Sequence, residues 1–186
     1  ALAAIGDPRA ADALIAKFRS DLQSHRQNHN NDEYESTCKA MGQTKHPKII
    51  EELIAALIST NSQQEVDMRE SQILRGGLVA LGSLAVESVL KLLKADNPRV
   101  RGEACNVLYH IPDQRAVAPL SELINDQAEY PGLGWQQKDR VNERAIYALA
   151  EIGMPAKEAL TKAAASSDDR IRELAKDKLA KITKAK

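Results

Sequence analysis

Apolar residues recur along this chain at the three-to-four spacing of an amphipathic helix, and the helical stretches arrive in similar pairs. The strings ALAAIGDPRAADAL (1–14), NVLYHIPDQRAVAPL (106–120) and YALAEIGMPAKEAL (147–160) share one plan. Each closes an apolar helix on an Ile, passes a Gly or Pro turn and opens a second helix. CKAMGQTKHPKIIEEL (38–53) and LVALGSLAVESVLKLL (78–93) are weaker copies. The Ile-like anchors fall at Ile5, Thr44, Leu84, Ile111, Ile152 and Ile182. That is a unit of roughly 30 residues, lengthened by about ten where an insertion sits.

Three residues before the anchors stand Leu2, Met41, Leu81, Leu108, Leu149 and Leu179, with mostly small residues one place earlier. A large apolar side chain beside a small one lets neighbouring helices approach closely. Gly6-Asp7-Pro8, His46-Pro47 and Gly153-Met154-Pro155 supply the turns, Gly for the end of the first helix and Pro for the start of the second. A helical hairpin of this kind cannot bury both faces alone and must stack on its neighbours. The expected fold is therefore all-α with no strand: a right-handed solenoid of about five hairpins plus a C-terminal helix, about eleven helices in all. Second helices are expected near Pro8–Asp21, Pro47–Ser59, Val86–Ala95, Arg115–Asn125 and Ala156–Ala165, on the concave side. Longer segments follow near 23–36, 60–72 and 126–140, all at one edge of the array.

Composition sharpens this picture. Of 186 residues 43% are apolar but only 3% aromatic, so the core rests on Leu, Ile, Val and Ala. Basic and acidic residues balance at 26 each, which argues against nucleic acid as partner. No apolar run reaches the ~20 residues of a membrane span. Two cysteines make no disulfide framework, which favours the cytoplasm over an oxidising compartment. The chain opens on what reads as a helix end, so 1–186 is taken as a single repeat domain whose first repeat lacks its start. A monomer is expected.

The strings IGDPRA, IPDQRAVAPL and DNPRVRGEA resemble HEAT repeats, and among them the short bacterial subclass also found in phycobilisome bilin lyases. The resemblance implies a non-enzymatic scaffold that binds a protein partner along its concave second helices and edge loops. A bilin-lyase-like enzyme or enzyme subunit is the alternative.

Candidate chemistry is sparse. Cys38 and Cys105 hold the same repeat position, where other hairpins carry Leu78 and Ile146, and read as core residues. His25 and His29, four apart with Asp32 and Glu33 beyond, would form a metal pair on a helix, but SHRQNHNNDEY reads as a solvated loop. Asp7, Arg9, Asp113 and Arg115 recur at matching places, as do Arg99, Arg101, Arg170 and Arg172, which is what inter-repeat ladders need. No catalytic, cofactor or metal residue is assigned, and no cofactor is expected. The least repeat-like segment, 125–142, holds the single Trp. Tyr130, Leu133 and Trp135, with Lys91, Lys94 and Glu122 on second helices, are the expected partner-binding residues.

Overall fold

In the computed structural model, residues 8–28, 32–62, 67–131 and 138–184 are described. They form ten α-helices: α1 (Pro8–Asn28), α2 (Asp32–Thr44), α3 (Pro47–Asn61), α4 (Met68–Leu81), α5 (Val86–Leu92), α6 (Pro98–His110), α7 (Val117–Glu122), α8 (Val141–Ile152), α9 (Lys157–Ala163) and α10 (Asp169–Lys184). Short 3₁₀ turns at Gly82–Leu84, Gln114–Ala116 and Met154–Ala156 lead into α5, α7 and α9. First and second helices alternate along the chain as the repeat predicts, and α10 is a final first helix. The fold is all-α, built of helical hairpins. The chain divides into two compact units, Ala1–Ser88 and Val89–Lys186.

Helix starts follow from local chemistry. The Asp67 carboxylate caps α4 by accepting from the backbone N–H groups of Arg69 and Glu70. Asn97 caps α6 just ahead of Pro98, and His46 Nδ1 accepts from Lys48 N ahead of Pro47. At the far ends, Gly82 (φ 60°) and Gly153 (φ 77°) close α4 and α8 in the left-handed region, and Lys45 (φ 52°) does so after α2. These three residues fix the repeat register. Leu81, rather than Leu84, is the equivalent of Thr44 and Ile152; Leu81 is buried whereas Leu84 is 47% exposed. The counterpart of the cysteine position in that repeat is then Arg75, not Leu78.

In the first unit Phe18, Tyr34, Met41, Ile49, Leu53, Leu57, Leu74 and Leu78 are buried. Helix α2 lies along α4 so closely that a Cβ on Gly42 would stand 2.4 Å from Ala80 Cβ and 2.8 Å from Gly77 O. The expected loop at 23–36 is instead mostly helix, since α1 runs to Asn28 and α2 begins at Asp32. Weak helix formers cost only tenths of a kcal/mol each. Burial of Phe18, His25 and Tyr34 in one ring stack outweighs that: centroids are 5.7 Å apart for Phe18 and Tyr34 and 5.2 Å for Tyr34 and His25. The 60–72 segment is likewise shortened, with α3 reaching Asn61 and α4 starting at Met68.

In the second unit Leu108, Leu120, Ile146 and Leu149 form the centre, and Ala104, Ala145 and Ala148 let α6 approach α8. Helix α10 packs on α8 and α9. The arginine pattern acts partly between repeats. Arg170 on α10 meets Glu143 on α8 at 2.5 Å, and Arg140 reaches Asp168 at 3.2 Å. Arg101 instead folds back: it donates to the carbonyls of Ala95 and Asp96 at 2.7 and 2.8 Å and meets Asp126 at 2.7 Å. Arg172 repeats this with the Ser166 carbonyl at 2.9 Å. Asp113 and Arg115 pair with each other at 2.7 Å, a local fork within one turn.

The expectation of no strand fails in the last insertion. Strands β1 (Glu129–Pro131) and β2 (Lys138–Arg140) form a small antiparallel ribbon with Tyr130 opposite Asp139. Its period of two points Tyr130 inward, and Tyr130 is only 4% exposed. The ring fills a notch on α6: a Cβ on Gly102 would lie 2.1 Å from Tyr130 Oη. Gly102→Ala is therefore expected to expel the ring and destabilise the protein by about 1–3 kcal/mol. Gly76→Ala, where a new Cβ meets nothing within 4 Å, should stabilise α4 by roughly 0.5–1 kcal/mol. Denaturant unfolding of both variants checks the pair; equal effects would contradict the notch.

Candidate functional site

In the second unit, the second helices share one recurring exposed charged position. Two residues beyond the fully buried Val89, Leu120 and Leu160 stand Lys91, Glu122 and Lys162, all exposed. Lys94 is exposed as well. Between α7 and α9 lies a groove of about 580 Å³, with Ala118, Ser121, Ile124 and Ala159 in its walls and Glu158 and Lys162 among its polar residues. Glu158 and Lys162 pair across one helical turn at 2.8 Å. The groove is thus lined by small apolar residues together with charged ones of both signs.

The expected aromatic contribution divides. Tyr130 is inside, its hydroxyl pushed above its ordinary pKa by burial. Strand β1 packs on α6 and β2 on α8, both first helices, so the ribbon lies on that side of the repeat and not over the second-helix groove. Leu133 and Trp135 lie outside the described residues. Beside Tyr130, Arg144 donates to Asp139 at 2.5 Å, while Glu129 meets Lys138 and Arg140 at 3.3 Å each. These contacts tie the two strands to each other and to α8.

A second polar cluster, in the first unit, joins the ends of α1 and α3 to the start of α4. His25 is 1% exposed, and its Nε2 lies 3.0 Å from Asp67 Oδ2 and 3.9 Å from Glu70 Oε2. Arg26 forks onto Glu70 at 2.7 and 3.1 Å, and the Thr60 hydroxyl donates to the same carboxylate. Burial raises the Asp67 pKa, but the N–H groups of Glu70 and Arg69 and the nearby His25 more than offset this and hold it below its ordinary value. Counted back from the left-handed turn, Glu70 occupies the place that Val141 fills in α8, and DNPRVR and DDRIR put Val100 and Ile171 there in α6 and α10. All three are buried, as Glu70 is. Sequence reading paired His25 with His29, Asp32 and Glu33; His29 lies outside the described residues, and the actual partners come from 42 and 45 residues along the chain.

Cys38 and Cys105 are free and buried. Burial pushes the Cys38 thiol up to about 12 and raises that of Cys105 too, so neither is a thiolate nucleophile.

Comparison with known proteins follows this geometry. The PBS lyase HEAT-like repeat family model matches residues 1–20. One solved chain, from the complex of CpcE and CpcF of phycocyanin lyase from Nostoc sp. PCC7120, superposes with a TM-score of 0.56 at 19% identity. The match covers 94% of this chain and 65% of that one, so this chain spans under two thirds of its length. An engineered protein gives 0.41 at 16% identity, covering 95% and 90%, and a designed armadillo repeat protein 0.37 at 13%, covering 97% of each chain. No curated protein matches the sequence significantly. Residues 1–20 thus match one PBS lyase HEAT-like repeat, the chain has the fold of a stacked helical-hairpin array, and no helix among its described residues is long and apolar enough to cross a membrane.

Thiol labelling is expected to find no reactive cysteine in the native protein and two after unfolding. Truncating Glu70 to Ala leaves Arg26 and His25 facing each other without their shared carboxylate, an expected loss of about 2–3 kcal/mol in denaturant unfolding. Asp113, drawn down to about 2 chiefly by the Arg115 side chain and N–H, should titrate there by NMR. The sign follows from the depressed value: its contribution to stability is full above the ordinary 3.8 and is lost as pH falls through about 2. Arg115→Ala should move the midpoint back up.

Proposed function

We propose that this chain is a binding scaffold that holds a protein partner along its second helices. The observation carrying this reading is the recurrence of an exposed charge at Lys91, Glu122 and Lys162 on α5, α7 and α9, the last of them lining the groove between α7 and α9. Equivalent positions on successive second helices display side chains at repeat spacing, and the groove offers small residues against which a partner segment packs. Lys94 belongs to the same proposed surface, while Leu133 and Trp135, which lie outside the described residues, are proposed as a separate partner contact carried by the insertion. Tyr130 serves it indirectly, by anchoring the insertion that carries Leu133 and Trp135.

The test is affinity against stability. Ser121→Arg places a bulky cation in the groove wall, and Lys91→Glu with Glu122→Lys inverts two of the recurring charges. Each should weaken a stoichiometric partner complex at least tenfold with the melting temperature unchanged. Trp135→Ala measured the same way separates a contact residue from a staple. Undiminished affinity in all three variants would refute the proposed surface.

The second reading is a lyase-type subunit, favoured by the likeness of fold to the CpcE and CpcF complex. In that case the partner is another helical-repeat chain, and a tetrapyrrole binds to the pair. A persistent shifted absorption band on incubation with bilins, present in the protein after desalting, would favour this reading over the first.

A further inference from the structure

The cluster of His25, Asp67 and Glu70 has the composition and spacing of a cation site. Each residue offers one donor atom, and the three donors lie within 4.8 Å of one another. A tetrahedral zinc ion at roughly 2.0–2.2 Å from each donor holds its donors about 3.4 Å apart. The observed separations of 3.0 Å and 3.9 Å from His25 Nε2 bracket that value. We propose that His25 Nε2, Asp67 Oδ2 and Glu70 Oε2 form a binding site for a divalent first-row transition ion of the zinc class, tying the end of α1 to the start of α4.

Several observations converge on this assignment. The three side chains come from two helices and meet in the protein interior, with His25 and Glu70 almost wholly buried and Asp67 about one-third exposed. Asp67 thus leaves an entry path and room for a water in the fourth position. The surrounding contacts orient the donors. Tyr34 stacks on the imidazole, backbone N–H groups of Arg69 and Glu70 occupy Asp67 Oδ1, and Arg26 and Thr60 hold Glu70. Such outer partners set ligand geometry in metal sites. With His25 neutral, as a ligand must be, the two carboxylates exceed Arg26 by one negative charge, so the cluster is anionic toward an entering cation. Lastly, α6, α8 and α10 carry Val or Ile at the place of Glu70 and α2 carries the exposed Glu33, so only in α4 does a carboxylate at this place lie buried. Since the ion is walled in on all sides but one, its role is to fix two helices and not to process a substrate.

The full chain, stripped with a chelator and dialysed, is titrated with Zn²⁺ by calorimetry and with Co²⁺ by absorption. The expected result is one equivalent bound, a four-coordinate Co²⁺ spectrum, and a melting temperature several degrees higher with Zn²⁺ than with chelator. Asp67→Asn retains the cap on α4 through Oδ1 and should fold, with its melting temperature in chelator close to that of the parent. It should bind Zn²⁺ at least tenfold more weakly and lose the thermal shift. His25→Gln provides a second ligand removal with an amide that still hydrogen-bonds to Asp67. No bound equivalent and no thermal shift in the parent chain would overturn the proposal. So would binding of equal affinity in Asp67→Asn and His25→Gln, because the ion would then sit elsewhere.

Discussion

A helix pair whose two members are both apolar on their inner faces cannot satisfy itself; it needs another pair beside it. Everything else in this protein follows from how closely those neighbours must approach. Helices meet where small residues stand at the crossing: Gly42 against Gly77 and Ala80 in the first unit, Ala104, Ala145 and Ala148 in the second. Leu and Ile side chains then fill the space left on either side of each crossing, burying Leu53, Leu74, Leu120 and Leu149 completely. With so few rings in the chain, close approach replaces bulk as the source of core density.

Because first helices are committed to this packing, the exposed variety sits on second helices and in insertions. Charged residues recur there, some paired between neighbouring second helices as Arg19 with Glu52 and Lys48 with Asp12, and the last insertion carries a strand pair that the repeat does not need. The two polar clusters differ in kind. The one under the ribbon tethers an addition to the outside of the array. The one around His25 replaces apolar core with four charged or titratable side chains, which the repeat alone does not explain.

Helix order, turn positions and the small-residue crossings could all be read from the sequence, because each depends on residues a few places apart. Errors arose wherever a distant partner decided the outcome. The Leu84 anchor was three residues late because LGSL and ALGSLAV offer two apolar candidates, and only the left-handed Gly82 chooses between them. The polar string after Gln23 read as a loop since its composition is unfavourable to helix; His25 and Tyr34 face inward there and supply the missing stabilisation. The ribbon was invisible because three-residue strands leave too short an alternation to detect, although the Tyr130 and Gly102 pairing explains why that glycine interrupts an otherwise good helix. Of the candidate surface, exposure of Lys91, Lys94 and Glu122 was legible from helix period, whereas the burial of Tyr130 depended on a notch 28 residues away.

The backward reach of Arg101 and Arg172 carries a consequence for how such arrays can change. Each arginine follows the buried Val100 or Ile171 and clasps carbonyls six residues upstream, so the turn and the helix start form one self-contained unit, 95–101 in one repeat and 166–172 in the other. A unit that satisfies its own carbonyls needs few partners from elsewhere, the one for Arg101 being Asp126. Helix α8 has Asn142 at that place, fully buried, with both side-chain polar atoms lacking a hydrogen-bond partner. The repeat with the ribbon has therefore given up the clasp, and its turn has become dependent on the insertion that replaced it: the ribbon can be altered in length or content at its tip, but it can no longer be deleted and leave an ordinary repeat behind.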